Sequence, residues 1–155
     1  MQMVPLLLAL PILLWIAWTD VMALRIRNSA VAAAVALFVV TLPLVGWPEA
    51  GWRLLAAAVV FLTGFALFAA RLMGGGDVKM GAALMLFVPS GTHSQFALLF
   101  SAAMLMGILA LEMLRRLPAL RRAGPVSLRA RGTFPMGLAF ALGAVLHVLM
   151  LAASA

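Results

Sequence analysis

Residues 3–19 read MVPLLLALPILLWIAWT, a run of apolar side chains without a single charge. A helix needs about 20 predominantly apolar residues to cross the hydrocarbon core of a bilayer. Similar runs recur along the chain between charged or Gly/Pro-rich breaks, and they predict membrane helices at 3–19, 29–45, 53–70, 77–88, 95–114 and 134–153. We therefore expect an all-α, polytopic membrane protein with about six transmembrane helices, and residues 1–155 as a single membrane-embedded domain.

The composition agrees with lipid as the solvent. Of the 155 residues, 66% are hydrophobic and only 10% are charged, whereas soluble domains carry about 25% charged residues. Cysteine is absent, which excludes disulfides, a thiol nucleophile and cysteine-ligated metal sites. The first apolar run lacks the basic leading region and small-residue cleavage site of a secretory signal, so we expect it to remain as the first helix.

The basic residues predict the orientation in the membrane. The net charge of +7 does not indicate nucleic acid as a partner, because the bases lie between apolar segments without aromatic residues suited to base stacking. Under the positive-inside rule, the first, third and fifth connections face the cytoplasm and both termini lie outside it. Ten of the eleven bases belong to these connections, and Arg53 alone lies on the other side: Arg25, Arg27, Arg71, Lys79, Arg115, Arg116, Arg121, Arg122, Arg129 and Arg131. We expect the six arginines of the fifth connection to contact anionic lipid headgroups.

The fourth segment, 77–88, is too short to cross a bilayer. Its twelve residues would span about 18 Å as a helix, against a hydrocarbon core of about 30 Å. Either residues 93–95 continue this helix, or its start lies below the membrane surface. The second alternative places Asp77 in a water-filled cavity, since irregular backbone at membrane depth requires protein or water to satisfy it.

The chain has only four carboxylates, and two have simple structural explanations. Glu112 precedes Arg115 and Arg116 by three and four residues, the spacing of a helix-surface ion pair. Glu49 lies in the segment WPEAGW at 47–52, which we interpret as an interfacial turn with tryptophan anchors. Asp20 could be a solvated loop residue and Asp77 a helix cap, but an ionisable group next to a membrane segment is also a candidate for function.

Three glycines, Gly74, Gly75 and Gly76, come directly before Asp77. They remove every side chain from a stretch of backbone and allow another chain to approach closely, which suits a peptide-binding edge and also a flexible connection. Lys79, two residues after Asp77, could support the electrostatics of an aspartate pair or mark the cytoplasmic boundary of the helix.

An aspartate pair is the one hydrolytic mechanism for which the sequence contains the residues that are needed. Two close carboxylates share one proton, so that one activates a water molecule and the other polarises the scissile carbonyl. Such a pair needs no metal and no cofactor. His93 and His147 lie far apart and offer neither a serine-histidine arrangement nor the spacing of a zinc site, so we interpret both as structural.

Three motifs resemble a known family. The segment GGGDVK at 74–79 resembles the GxGDxK signature of the prepilin peptidases, or type IV leader peptidases, which are GxGD-type membrane aspartyl peptidases. Asp20 followed by RIRN at 25–28 resembles the loop of the family's first aspartate, although Arg27 stands where the family often has proline. The segment TFPMGLA at 133–139 resembles its late proline-containing motif.

The resemblance implies a bacterial inner-membrane endopeptidase that cuts the basic leader from prepilin or pseudopilin precursors, after a glycine and on the cytoplasmic side. Asp20 and Asp77 would be catalytic, the three glycines would shape the substrate-binding loop, and Lys79 would support it. The chain resembles the short form found with Flp/Tad-type pili, without the CxxC segment associated with methylation. A proton-relaying transporter subunit and a noncatalytic pilus or secretion assembly protein remain as alternatives.

Overall fold

The computed structural model of the protein describes residues 2–118, 120, 124–130 and 132–154. Within these residues the chain forms seven α-helices, with a short 3-10 helix, Ser90–Thr92, before the fifth. The helices are α1 Val4–Ala23, α2 Asn28–Val45, α3 Trp47–Ala69, α4 Gly75–Met85, α5 His93–Arg115, α6 Val126–Arg129 and α7 Met136–Ala153. No strand occurs in this part of the chain, so the predicted all-α class is confirmed.

In the part of the chain that the structure describes, five helical segments are long and apolar enough to cross a membrane: α1, α2, α3, α7 and the stretch Ser90–Arg115 that ends with α5. The side chains of α3 show why lipid is the appropriate solvent, because Leu54, Leu62 and Phe65 are 53%, 66% and 53% exposed. In water such a surface would favour aggregation, whereas hydrocarbon solvates it. The predicted polytopic membrane architecture is therefore confirmed with five such segments, whereas α4, which corresponds to the predicted fourth span, is too short to be one of them.

Helix α4 is the structural exception in the bundle. It has only eleven residues, yet Met80, Leu84, Phe87 and Val88, on the helix and directly after it, are almost completely buried. It packs against α2, α3 and α7, while α7 in turn packs against α1 and α5. A short helix at the centre leaves its two ends inside the bundle, and both ends therefore need polar partners from neighbouring helices.

Several predicted boundaries are wrong in informative ways. Helix α1 continues to Ala23, past Asp20, and ends where Leu24 adopts a left-handed conformation (φ 50°). Helix α3 begins at Trp47 instead of residue 53, with Pro48 in its first turn, so Glu49 lies in a helix and not in a turn. Residues 93–95 belong to α5 and do not continue α4. Arg121, Arg122 and Arg131 lie outside the described residues.

Candidate active site

A cavity of about 960 Å³ opens at one end of the bundle. Its wall comes from the end of α1 and residues 24–28, from the start of α4, and from residues 133–134 before α7. Asp20 and Asp77 both line it, although 57 positions separate them in the sequence. We call this region, with residues 18–28, 74–77 and 133–137, the Asp end of the bundle.

Asp20 lies in the last turn of α1 and is only 4% exposed. The backbone N–H of Gly137 donates a hydrogen bond of 2.7 Å to Asp20 Oδ2. Because Gly137 is the second residue of α7, the carboxylate also faces the positive end of that helix, which favours a negative charge. The site therefore supplies Asp20 with a backbone donor and leaves its second oxygen for another partner.

The close approach of α1 and α7 depends on the missing side chain of Gly137. A Cβ atom at this position would lie 3.0 Å from Asp20 Cβ, 3.1 Å from Asp20 Oδ2 and 3.1 Å from Ile16 Cγ2. These distances are shorter than ordinary van der Waals contacts. In the sequence this glycine stands out only as part of the motif at 133–139, and the proline two residues before it is the available signal of a helix start.

Asp77 is the third residue of α4 and is half-buried. The pKa of its carboxyl group is raised from the ordinary value of 3.8 to about 6, first by burial and then by the negative charge of Asp20, while a backbone hydrogen bond from Gly74 opposes both. The contribution of Asp20 means that the two carboxylates are close enough to influence each other's protonation. The structure thus brings together the two acids that the sequence singled out.

The predicted substrate-binding residues take different positions. Gly74 and Gly76 line the cavity, whereas a Cβ atom on Gly75 would lie 3.3 Å from the ring of Phe68, against α3. Gly75 and Gly76 already belong to the first turn of α4, so the glycine run is mostly helical. Lys79 is exposed and does not line the cavity; its Nζ donates a 3.3 Å hydrogen bond to Asn28 Oδ1. Their role in substrate binding stays a prediction.

Arg115 fixes the segment that leads into α7. Its guanidinium donates hydrogen bonds of 2.7 Å to the carbonyl oxygen of Ser127 and 2.6 Å to that of Thr133. It also forms the predicted helix-surface ion pair, since Nη1 lies 3.4 Å from Glu112 Oε2. Through Thr133, which lines the cavity, Arg115 therefore stabilises part of the cavity wall. The sequence predicted only the ion pair and the lipid contact of Arg115.

The opposite end of α4 carries a different polar cluster, which we call the Arg53 end: Arg53, Glu49, Ser90 and the carbonyl groups around them. Arg53 is completely buried, and its Nε donates a 2.8 Å hydrogen bond to Glu49 Oε1. Its Nη1 donates to the carbonyl of Phe87 (3.3 Å), the second residue after α4, and its Nη2 to that of Gln2 (3.1 Å). The Glu49 carboxylate also accepts bonds from the N–H and hydroxyl of Ser90, at 2.8 and 2.6 Å.

Both histidines lie near the Arg53 end and away from the aspartates. The hydroxyl of Thr92 donates to the carbonyl of Pro89 (3.0 Å) and lies 3.0 Å from His147 Nε2. His93 Nε2 lies 3.3 Å from the carbonyl oxygen of Val88. Neither ring lines the cavity, so neither is placed to act as a base beside Asp20 or Asp77.

Comparison with known protein families gives a match for this chain. A model of the type IV leader peptidase family matches residues 7–111. The match covers more than half of the chain, including both aspartates and the glycine run, and it ends before Gly137. No curated protein and no solved structure matches the chain significantly.

Proposed function

The chain belongs to the type IV leader peptidase family, and from this premise we propose that it is an aspartic endopeptidase that removes the basic leader from prepilin or pseudopilin precursors. The observation that carries the proposal is the shared cavity of Asp20 and Asp77. The other two carboxylates of the chain are engaged in ion pairs with arginines. Asp20 and Asp77 are therefore the pair available for acid–base chemistry.

In the proposed reaction the two aspartates hold one proton between them. Asp20, bonded to the N–H of Gly137 at the start of a helix, carries the charge and accepts a proton from a water molecule. Asp77, whose pKa is raised to about 6, holds the proton and donates a hydrogen bond to the scissile carbonyl oxygen. Water attacks the carbonyl carbon, and as the tetrahedral intermediate collapses and the C–N bond breaks, Asp20 gives the proton that it took from the water to the leaving amine.

We further propose that the Asp end faces the cytoplasm of a bacterium and that residues 1–155 act as one catalytic domain of the inner membrane. The exposed arginines Arg25 and Arg27 at the cavity support this orientation under the positive-inside rule. The precursor's apolar helix would remain in the bilayer, and its basic leader would extend into the cytoplasm, where it is released.

Replacement of each aspartate tests this function. We expect Asp20→Asn and Asp77→Asn to lower processing of a co-expressed prepilin by about 10²- to 10⁴-fold, the contribution typical of general acid–base catalysis. The change is nearly isosteric, so both variants should still accumulate in membranes. Glu112→Gln removes a carboxylate that does not line the cavity and serves as the matched control, with processing expected at the parental level.

Full processing by either aspartate variant would remove that residue from the mechanism. Full processing by both would contradict the proposed function, and undiminished pilus production after substitution of both aspartates would support the noncatalytic assembly alternative.

A further inference from the structure

The five long helices contact one another in a series that does not close. Helix α3 packs against α2, α2 against α1, α1 against α7, and α7 against α5. Between α3 and α5, the two ends of this series, no pair of Cα atoms comes within 8 Å. Among the described helices, the side of the bundle between α3 and α5 is therefore open, and we call this opening the α3–α5 groove.

The floor of the α3–α5 groove is α4, the helix that carries Asp77. Gly81 and Met85 follow Asp77 at intervals of four residues, so all three lie on one face of α4, and each is half-buried. A Cβ atom on Gly81 would lie 3.7 Å from Val60 Cγ1 of α3 and 3.5 Å from the ring of Phe140 of α7. This face of α4 consequently lies between α3 on one side and α7, against which α5 packs, on the other.

The groove contains a second cavity, of about 490 Å³, near the Arg53 end. The 3-10 helix Ser90–Thr92 contacts both α3 and α5 and closes the groove at this end. Leu55 and Val59 in the cavity wall are 53% and 56% exposed, so no other described part of the chain covers them. Most of the wall is apolar and comes from α3, with one residue of α4: Trp52, Leu55, Ala56, Val59, Val60 and Met85.

The proposed substrate has to reach Asp77 from within the bilayer. Its apolar helix stays in lipid while the bond that is cut lies at the Asp end, so this helix approaches the bundle from the side. The α3–α5 groove is the side opening that exposes the Asp77 face of α4. Small residues let membrane helices approach closely, and association in lipid depends on such packing; Gly81 in the floor and Ala56 in the wall supply them.

We propose that the α3–α5 groove binds the apolar helix of the precursor alongside α4 and thereby sets which peptide bond reaches Asp20 and Asp77. This inference rests on the proposed function and adds the surface that recognises the membrane segment of the substrate. Met85 lies eight residues after Asp77, a distance of about 12 Å along a helix. The precursor residue about eight positions after the cut bond consequently lies in the second cavity.

Disulfide cross-linking tests the groove, because the chain has no cysteine of its own. The enzyme carries Val59→Cys, together with Asp77→Asn to prevent cleavage, in lipid vesicles. The probes are synthetic precursors with a basic leader ending in glycine and about 20 apolar residues, each with one cysteine at a successive apolar position. We expect the highest yield about eight positions after the cut bond, with a period of three to four residues. Val40→Cys, on α2 and 75% exposed, is the matched control and should give a low yield at every position.

A matched pair of tryptophan variants tests the second cavity by filling it. Ala56→Trp places an indole ring in the cavity, whereas Ala36→Trp places the same ring on the exposed surface of α2. With the long precursor, we expect a KM several-fold higher for Ala56→Trp than for Ala36→Trp, because the ring takes the space of the substrate helix. A short peptide that ends a few residues after the cut bond does not reach the cavity, so its KM should be the same for both variants.

The outcomes separate the two proposals. Periodic cross-linking at Val59→Cys together with a higher KM of Ala56→Trp for the long precursor supports the α3–α5 groove. Cleavage that requires Asp77, but with equal cross-linking at Val59→Cys and Val40→Cys or equal KM values of the two tryptophan variants for the long precursor, would overturn the groove alone and leave lipid as its occupant. Cleavage that is unaffected by Asp77→Asn would overturn the proposed function, and the groove proposal with it.

Discussion

The Arg53 end and the Asp end differ in whether their charged groups are paired with an opposite charge. At the Arg53 end, a buried guanidinium is bonded to a carboxylate and to backbone carbonyls from two other parts of the chain. At the Asp end, two carboxylates share a cavity, and neither forms an ion pair with a described base. One helix, α4, connects these two environments, since Arg53 binds just beyond its last residue and Asp77 lies in its first turn.

We propose that this difference separates a structural use of charge from a reactive one. A buried ion pair with all its hydrogen bonds made is fixed in one geometry and one protonation state. Two carboxylates without a cation can exchange a proton and thus change state during a reaction. Helix α4 is therefore anchored at the Arg53 end and carries its variable charge at the Asp end.

The largest expected effect is a loss of stability at the Arg53 end. Arg53→Ala leaves the Glu49 carboxylate without its positive counter-charge and the carbonyl of Phe87 without its donor, and removal of one member of a buried pair costs about 3–5 kcal/mol. We expect a clear fall in the thermal unfolding temperature in detergent, followed by tryptophan fluorescence. The double variant Arg53→Met with Glu49→Gln, which leaves no uncompensated charge, should recover part of the loss. Unchanged unfolding of Arg53→Ala would contradict the anchoring role.

The second effect is a pH dependence that belongs to the Asp end. Since Asp77 has a pKa of about 6 and is proposed to work in its protonated form, kcat/KM should fall about tenfold per pH unit above that value. The free energy of unfolding should also fall with rising pH, because the folded state binds the Asp77 proton more tightly than the unfolded state. The stabilisation from this proton is fully present below pH 3.8 and is lost as the pH rises through about 6.

Rate profiles and unfolding curves from pH 4 to pH 8 measure both quantities. Asp77→Asn should remove this part of the pH dependence of stability, whereas Glu49→Gln, at the Arg53 end, should retain it. A constant kcat/KM from pH 6 to pH 8 would show that the pair does not titrate in this way.

The third effect concerns the contact between Asp20 and α7. Gly137→Ala introduces a methyl group 3.0 Å from Asp20 Cβ, which forces the two helices apart and displaces the carboxylate. We expect about a tenfold loss of cleavage and about 1–3 kcal/mol of destabilisation from overpacking. Gly51→Ala, in helix α3 and with no atom near the added Cβ, is the control and should be neutral or slightly stabilising. Equal activity of both variants would mean that Asp20 tolerates displacement.

The smallest effect is expected from the ion pair of Glu112 and Arg115. Glu112 is 60% exposed and its distance to Arg115 is 3.4 Å, and exposed pairs contribute about 0.2–1 kcal/mol. Glu112→Gln should therefore change the unfolding temperature by a degree or two at most. Arg115→Ala should be clearly more harmful, because it also removes the hydrogen bonds to the carbonyls of Ser127 and Thr133. Equal effects of the two substitutions on the unfolding temperature would mean that Arg115 acts only as a surface charge.

Much of this protein could be predicted from neighbouring residues alone. Hydropathy located the membrane helices because a helix that crosses lipid needs a continuous run of apolar side chains, which can be read directly from the sequence. The scarcity of carboxylates singled out Asp20 and Asp77, and helix spacing identified the pair of Glu112 and Arg115. These features were accessible because each depends on composition or on contacts within about one helical turn.

Only the tertiary structure decided how the ends of α4 are satisfied and what surrounds the aspartates. Arg53 binds a carbonyl 34 positions away, and the N–H of Gly137 binds Asp20 from 117 positions away. No local pattern encodes such partners, because they arise when whole helices pack and their polar ends must find one another in a medium without water. The sequence by itself determined which residues could carry charge in this membrane protein, and helix packing decided which of those charges are neutralised and which share a cavity.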